Sequence, residues 1–157
     1  RFICNNITMI VILYFLAFIA LVAAIAISVS LFKLSGFKKK VRAYTDYHDH
    51  RVIANMPGYF LGMDDNTQEL TYISNTAQIS FKPKHIADVR IIEKEVPFGD
   101  DSVAYNITAS VILQNHSSRS VDIECAASAQ RGSIKYNHGQ AHAKAIEQAV
   151  TDLAKDI

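Results

Sequence analysis

The sequence predicts an α+β protein: one membrane-spanning helix, then a small antiparallel β domain closed by a C-terminal helix. Three observations carry this. Residues 7–32, ITMIVILYFLAFIALVAAIAISVSLF, contain no Asp, Glu, Lys, Arg or His. Between residues 59 and 125, short apolar runs alternate with polar residues and are separated by turn-forming clusters. After residue 137 the apolar period changes from two to three and four, the spacing of one helix face.

The apolar run is the first element. At about 1.5 Å per residue it extends roughly 39 Å, more than the ~30 Å hydrocarbon core of a bilayer. A secretory signal has a shorter apolar core behind a basic leader; here only Arg1 precedes the run, and Ala24-Ile25-Ala26 lies inside it. Residues 1–32 therefore read as a retained anchor. Lys33, Lys38, Lys39, Lys40 and Arg42 crowd its C-terminal side. Positive charge beside a span stays cytoplasmic, so the folded part is expected in the cytoplasm. The same five side chains are the candidate membrane-surface residues, facing anionic headgroups. Ala20, Ala24 and Ser28 form a small-residue row of the kind that admits close helix packing.

Residues 33–58 read as a basic juxtamembrane linker. Gly36 is expected to loosen or end the helix, residues 38–50 to form a short helix, and Met56-Pro57-Gly58 to punctuate the approach to the domain. The domain itself spans 59–157. YFLGM and ELTYIS flank Asp64–Gln68 as a hairpin, and AQISF ends at Lys82-Pro83-Lys84. DVRIIEKEV gives a fourth strand and Pro97–Asp101 a turn. Val103, Tyr105, Ile107, Ala109, Val111 and Leu113 then share one face of a long half-buried strand. SVDIEC pairs back after Asn115–Ser118, with Cys125 facing the core, and Ala126–Asn137 reads as a loop. Ile146, Ala149, Val150, Leu153 and Ile157 form the apolar stripe of the final helix, with Asn137 as its N-cap. The result is an antiparallel barrel or sheet of five to seven strands.

The run FLGMDDNTQELTYIS–NTAQISFKPKHIADVRIIEKEV resembles the start of bacterial pleckstrin-homology-like domains. Ile79, Phe81, Ile86, Val89 and Ile91 match the family's hydrophobic rhythm, and the resemblance covers about residues 52–157. The chain departs from the family by having no Trp in its last helix. The resemblance implies a module that binds lipids, peptides or protein surfaces on different edges, so the fold alone does not assign a role.

No constellation points to catalysis. His48, Asp49 and His50, beside Asp46 and Tyr47, are the densest group of metal-type ligands, but their setting suits a polar linker. His138 and His142 share a helix face without the Glu and further ligand of a zinc enzyme, and read as solvent-facing. Cys4 and Cys125 lie on opposite sides of the apolar run and cannot pair; Cys4 borders the bilayer, where palmitoylation occurs. Asn6, Asn106 and Asn115 begin N-x-[ST] triplets, of weight only if the domain lies outside the cytoplasm.

The expected function is thus a non-enzymatic, membrane-tethered interaction module, without cofactor or metal. Its expected partners are the lipid bilayer and a protein or lipid headgroups, with no nucleic acid. The alternative is a structural subunit of an envelope machine such as a secretion or conjugation complex, its domain outside the cytoplasm. A fragment of residues 44–157 is expected to fold alone.

Overall fold

A computed structural model describes residues 2–47, 49–99 and 102–155. The order of elements is α1 (Phe2–Tyr47), β1 (His50–Met56), β2 (Tyr59–Asp64), β3 (Glu69–Ser74), β4 (Gln78–Phe81), a 3₁₀ turn at Pro83–His85, β5 (Ile86–Phe98), β6 (Ser102–Leu113), β7 (Ser120–Ala129) and α2 (Ile134–Lys155). All pairings are antiparallel between sequence neighbours. They form a four-stranded sheet, β1-β2-β3-β4, and a three-stranded sheet, β5-β6-β7, with no closed barrel.

The largest departure from the sequence reading lies between residues 33 and 58. There α1 does not stop at Gly36: it is one helix of 46 residues, about 69 Å long. A helical glycine costs roughly 1 kcal/mol relative to alanine. Leu34, Phe37, Val41 and Tyr44 offset that cost, recurring at helical spacing and packing on Phe60 and Ile73 of the first sheet. The second departure is β1. His50–Met56, read as linker, forms a paired edge strand of the domain, bulged at Ile53. His48 lies outside the described residues.

The hairpin at Asp64–Gln68 is present in the expected register, Tyr59 opposite Ser74 and Asp64 opposite Glu69. Asp64 Oδ1 closes it by accepting the N–H groups of Asn66 and Thr67 at 2.8 and 3.1 Å. Alternation gives the first sheet two buried faces. Tyr59, Leu61, Met63, Leu70 and Tyr72 enter the main core; Phe60 and Ile73 point at α1.

The main core lies between the two sheets and α2. Ile107, Ala109, Val111, Val121 and Ile123 come from the second sheet, and Ala143, Ile146 and Val150 from α2. The β6 alternation holds from Ile107 to Leu113 but lapses before it: Val103 is 49% exposed while Ala104 is buried. Register shifts opposite Tyr105–Thr108 bulge β7, and Ser128 there takes a left-handed φ of 48°. The strand β7 also runs on to Ala129, shortening the expected loop. Ser133, not Asn137, caps α2: its Oγ accepts the Tyr136 N–H at 3.2 Å. The stripe of α2 begins two to three turns earlier than expected, at Tyr136 and Gly139; its expected last member, Ile157, lies outside the described residues, as do Asp100 and Asp101 of the β5–β6 turn.

Candidate functional site

The outer side chains of α1 from Ile12 to Phe32 are exposed, and this part of the helix is long and apolar enough to cross a membrane. Beyond it, the same helix lies on the first sheet. Phe60 is the centre of that contact. Its ring leans over Gly62, where a Cβ would stand 2.7 Å from the ring atoms, so the missing side chain gives the ring its seat. The Tyr44 ring meets it edge-on at 5.7 Å, and His50 approaches both rings at 6.0 and 6.1 Å. On the same sheet, Thr71 shares a 2.9 Å hydrogen bond with Ser80.

Next to this contact, α1 and the edge strand β1 stand apart and leave a cleft of about 680 Å³, within the roughly 300–1,000 Å³ of small-ligand sites. Its α1 wall is Leu34, Phe37, Lys38, Val41, Arg42 and Thr45. His50, Val52, Asn55, Met56, Pro57 and Phe60 form the other wall and floor. The surface is largely apolar, and among the described residues its two cations are Lys38 and Arg42 and no carboxylate lines it. Asp46 is 4.0 Å from Arg42, an exposed pair one turn along the helix that contributes little.

The helix sorts the predicted membrane-surface residues. Lys38 and Arg42 flank the cleft. Lys40, on the opposite flank, donates to the Asn75 carbonyl at 3.2 Å and ties α1 to the β3–β4 turn. Lys39 is exposed; Lys33 falls within α1, and its side chain lies outside the described detail. His50 belongs to an aromatic contact in the wall of the cleft. Leu34, Phe37, Val41 and Tyr44 were legible as an i, i+3, i+7, i+10 series, but the basic run between them masked it.

A second recess, of about 520 Å³, brings Cys125, His138, His142 and Met56 to one side of α2. It gathers the sequence's loose chemical groups without activating them. His142 stacks edge-on against Tyr59 at 6.0 Å, and the Cys125 thiol turns back toward the Ile123 carbonyl at 3.5 Å. Burial pushes that thiol above its ordinary value, which suppresses the thiolate. Among the described residues, no three His, Cys, Asp or Glu side chains gather as a metal site.

Burial also holds the hydroxyls of Tyr44, Tyr59 and Tyr72 above the ordinary tyrosine value of 10.0, as it holds Cys125 above 9.0. Folding therefore favours the protonated form of all four. Their contribution to stability is complete below the unfolded values and is lost as pH rises through the raised native ones. Denaturant titrations are expected to show stability falling from about pH 9 upward, with Tyr59→Phe flattening the decline. A profile flat through the alkaline range contradicts these burials.

Comparison of the chain with protein-family models, with curated proteins and with solved structures finds no match.

Proposed function

We propose that the chain is a single-pass, membrane-tethered, non-enzymatic interaction module whose receptor surface is the cleft between α1 and β1. One observation carries the reading: the helix that bears the apolar run continues without a break into the domain and forms one wall of that cleft. A binding surface built this way stands at the membrane by construction. Seven antiparallel strands in sequence order, followed by a closing helix, support the resemblance to pleckstrin-homology-like modules. The basic residues after the apolar run support a cytoplasmic domain.

A photoreactive amino acid at Val52, which is 51% exposed on the cleft wall, tests the reading in intact membranes. The expected result is a discrete adduct from position 52 and none from Thr67, at the tip of the β2–β3 hairpin. Identical labelling at both positions, or none at either, contradicts it. Introduced Thr67→Cys is expected to resist a membrane-impermeant maleimide until cells are opened; immediate labelling places the domain outside the cytoplasm.

A further inference from the structure

Resting on that reading of the cleft as a receptor surface, we propose that its ligand is an anionic phospholipid drawn from the adjoining leaflet. The acyl chain lies along the apolar floor against Phe37, Val41, Val52 and Phe60, and the phosphate meets Lys38 and Arg42 on the rim.

Three features on the page select this occupant. The first is continuity. Leu34, the nearest wall residue to the span, follows Phe32 of the uncharged run after a single lysine. Sheet geometry keeps the other wall near the bilayer too. Strand β1 starts beside Tyr44, at the far end of α1, and its end at Met56 and Pro57 still lines the cleft. The Lys40–Asn75 bond sets the turn end of this sheet one helical turn nearer the span than Tyr44, since Ser74 pairs with Tyr59. Met56 and Pro57, both exposed, form the tip at that end. An acyl chain entering past Leu34 leaves one apolar surface for another and exposes little area to water.

The second feature is charge. The two cations lie on one flank of α1, four residues apart and therefore on neighbouring turns, with no carboxylate among the described residues of the cleft wall. An anionic headgroup is the complement of such a pair, and a guanidinium suits phosphate oxygens in particular. A neutral or cationic amphiphile gains nothing from them. The third is the state of the β1 edge. A peptide adding to the sheet needs an uninterrupted ladder, and the bulge at Ile53 breaks the edge in mid-strand. The cleft offers apolar area and two charges, and these are the two halves of a phospholipid.

The test uses the full chain in nanodiscs of phosphatidylcholine doped with a phosphatidylglycerol that carries a diazirine on one acyl chain. Labelling is mapped by mass spectrometry and compared with a matching phosphatidylcholine probe. Expected are adducts on residues 50–60 as well as on the span, and a preference for the anionic probe. Lys38→Ser with Arg42→Ser is expected to lower that preference by about thirtyfold, the loss of two basic groups beside an anionic ligand. Both side chains are exposed, so the fold stays intact. Val52→Trp, which fills the cleft from its exposed wall, is expected to abolish labelling of residues 50–60 and leave labelling of the span unchanged. Adducts confined to residues 7–32, or equal labelling by the two probes, overturn the phospholipid. A protein adduct at position 52 in the membrane experiment also overturns it while leaving the interaction module standing; absence of any adduct there removes both.

Discussion

Replacing Phe60 with alanine is expected to lower the stability of the domain by about 3–5 kcal/mol, the range for emptying a large aromatic site in a core. The ring is 1% exposed and joins the first sheet to α1 through Tyr44 and Ile73. Its loss therefore has a second consequence that a generic core deletion lacks. Without Phe60 the stripe Leu34–Phe37–Val41–Tyr44 loses the larger of its two buried apolar partners, Phe60 and Ile73, among the described residues, and the extension of α1 is released. Leu61→Ala is the control, since Leu61 is equally buried but faces the main core. Chemical denaturation of residues 33–157 should report a large loss for both variants. Amide exchange across residues 37–47 should accelerate under native conditions only for Phe60→Ala. Equal acceleration in both, or in neither, contradicts the docked helix.

The second large effect is at Gly139, where two rules of thumb oppose each other. Alanine in place of a mid-helix glycine normally stabilises by up to about 1 kcal/mol. Here a Cβ would stand 2.5 Å from the Ala126 Cβ and 3.2 Å from Ile107 Cδ1. Neither neighbour can yield freely: Ala126 sits on the bulged strand β7, and Ile107 is fully buried in the middle of β6. Overpacking of this kind costs about 1–3 kcal/mol, so Gly139→Ala is expected to destabilise despite the helix propensity. The double variant Gly139→Ala, Ala126→Gly removes the nearest opposing atom. Its loss should be smaller than the sum of the two single losses, a coupling that a double-mutant cycle measures directly. Additive effects contradict the contact between α2 and β7.

Most of the domain was legible because its strands have one face in the core and their turns carry turn-forming residues. The Asp64–Gln68 hairpin, the Ile107–Leu113 alternation and the Ile146–Val150 stripe are each determined locally. What escaped was tertiary in origin. Nothing local says that Gly36 stays helical: that follows from Phe60 and Ile73, which lie 24 and 37 residues further on. The strand β1 was hidden for a similar reason. As a bulged edge strand beside a helix, it lacks the strict alternation that marks β6. The seven strands reach the upper limit of the expected five to seven, yet split into two sheets after the short β4, where Pro83 ends pairing and the 3₁₀ turn redirects the chain.

The candidate site was legible only in its charges. Lys38 and Arg42 were singled out, but their separation from Lys40 and Lys39 around the helix required knowing that the helix continues. Because residues 34–44 cover Phe60 and Ile73, a fragment beginning at residue 44 strips an apolar face that the chain keeps covered. A fragment beginning at residue 33 keeps that face covered.

One unbroken helix joins the apolar run to the folded domain. Dipolar spectroscopy on the reconstituted chain tests this, with spin labels at Leu21→Cys in the span and Thr67→Cys at the hairpin tip, and Cys4 and Cys125 replaced by serine. A single narrow distance distribution, broadened when Phe60→Ala is added, is the expected result. A distribution already broad in the parent chain, as a swivel at Gly36 would produce, contradicts it.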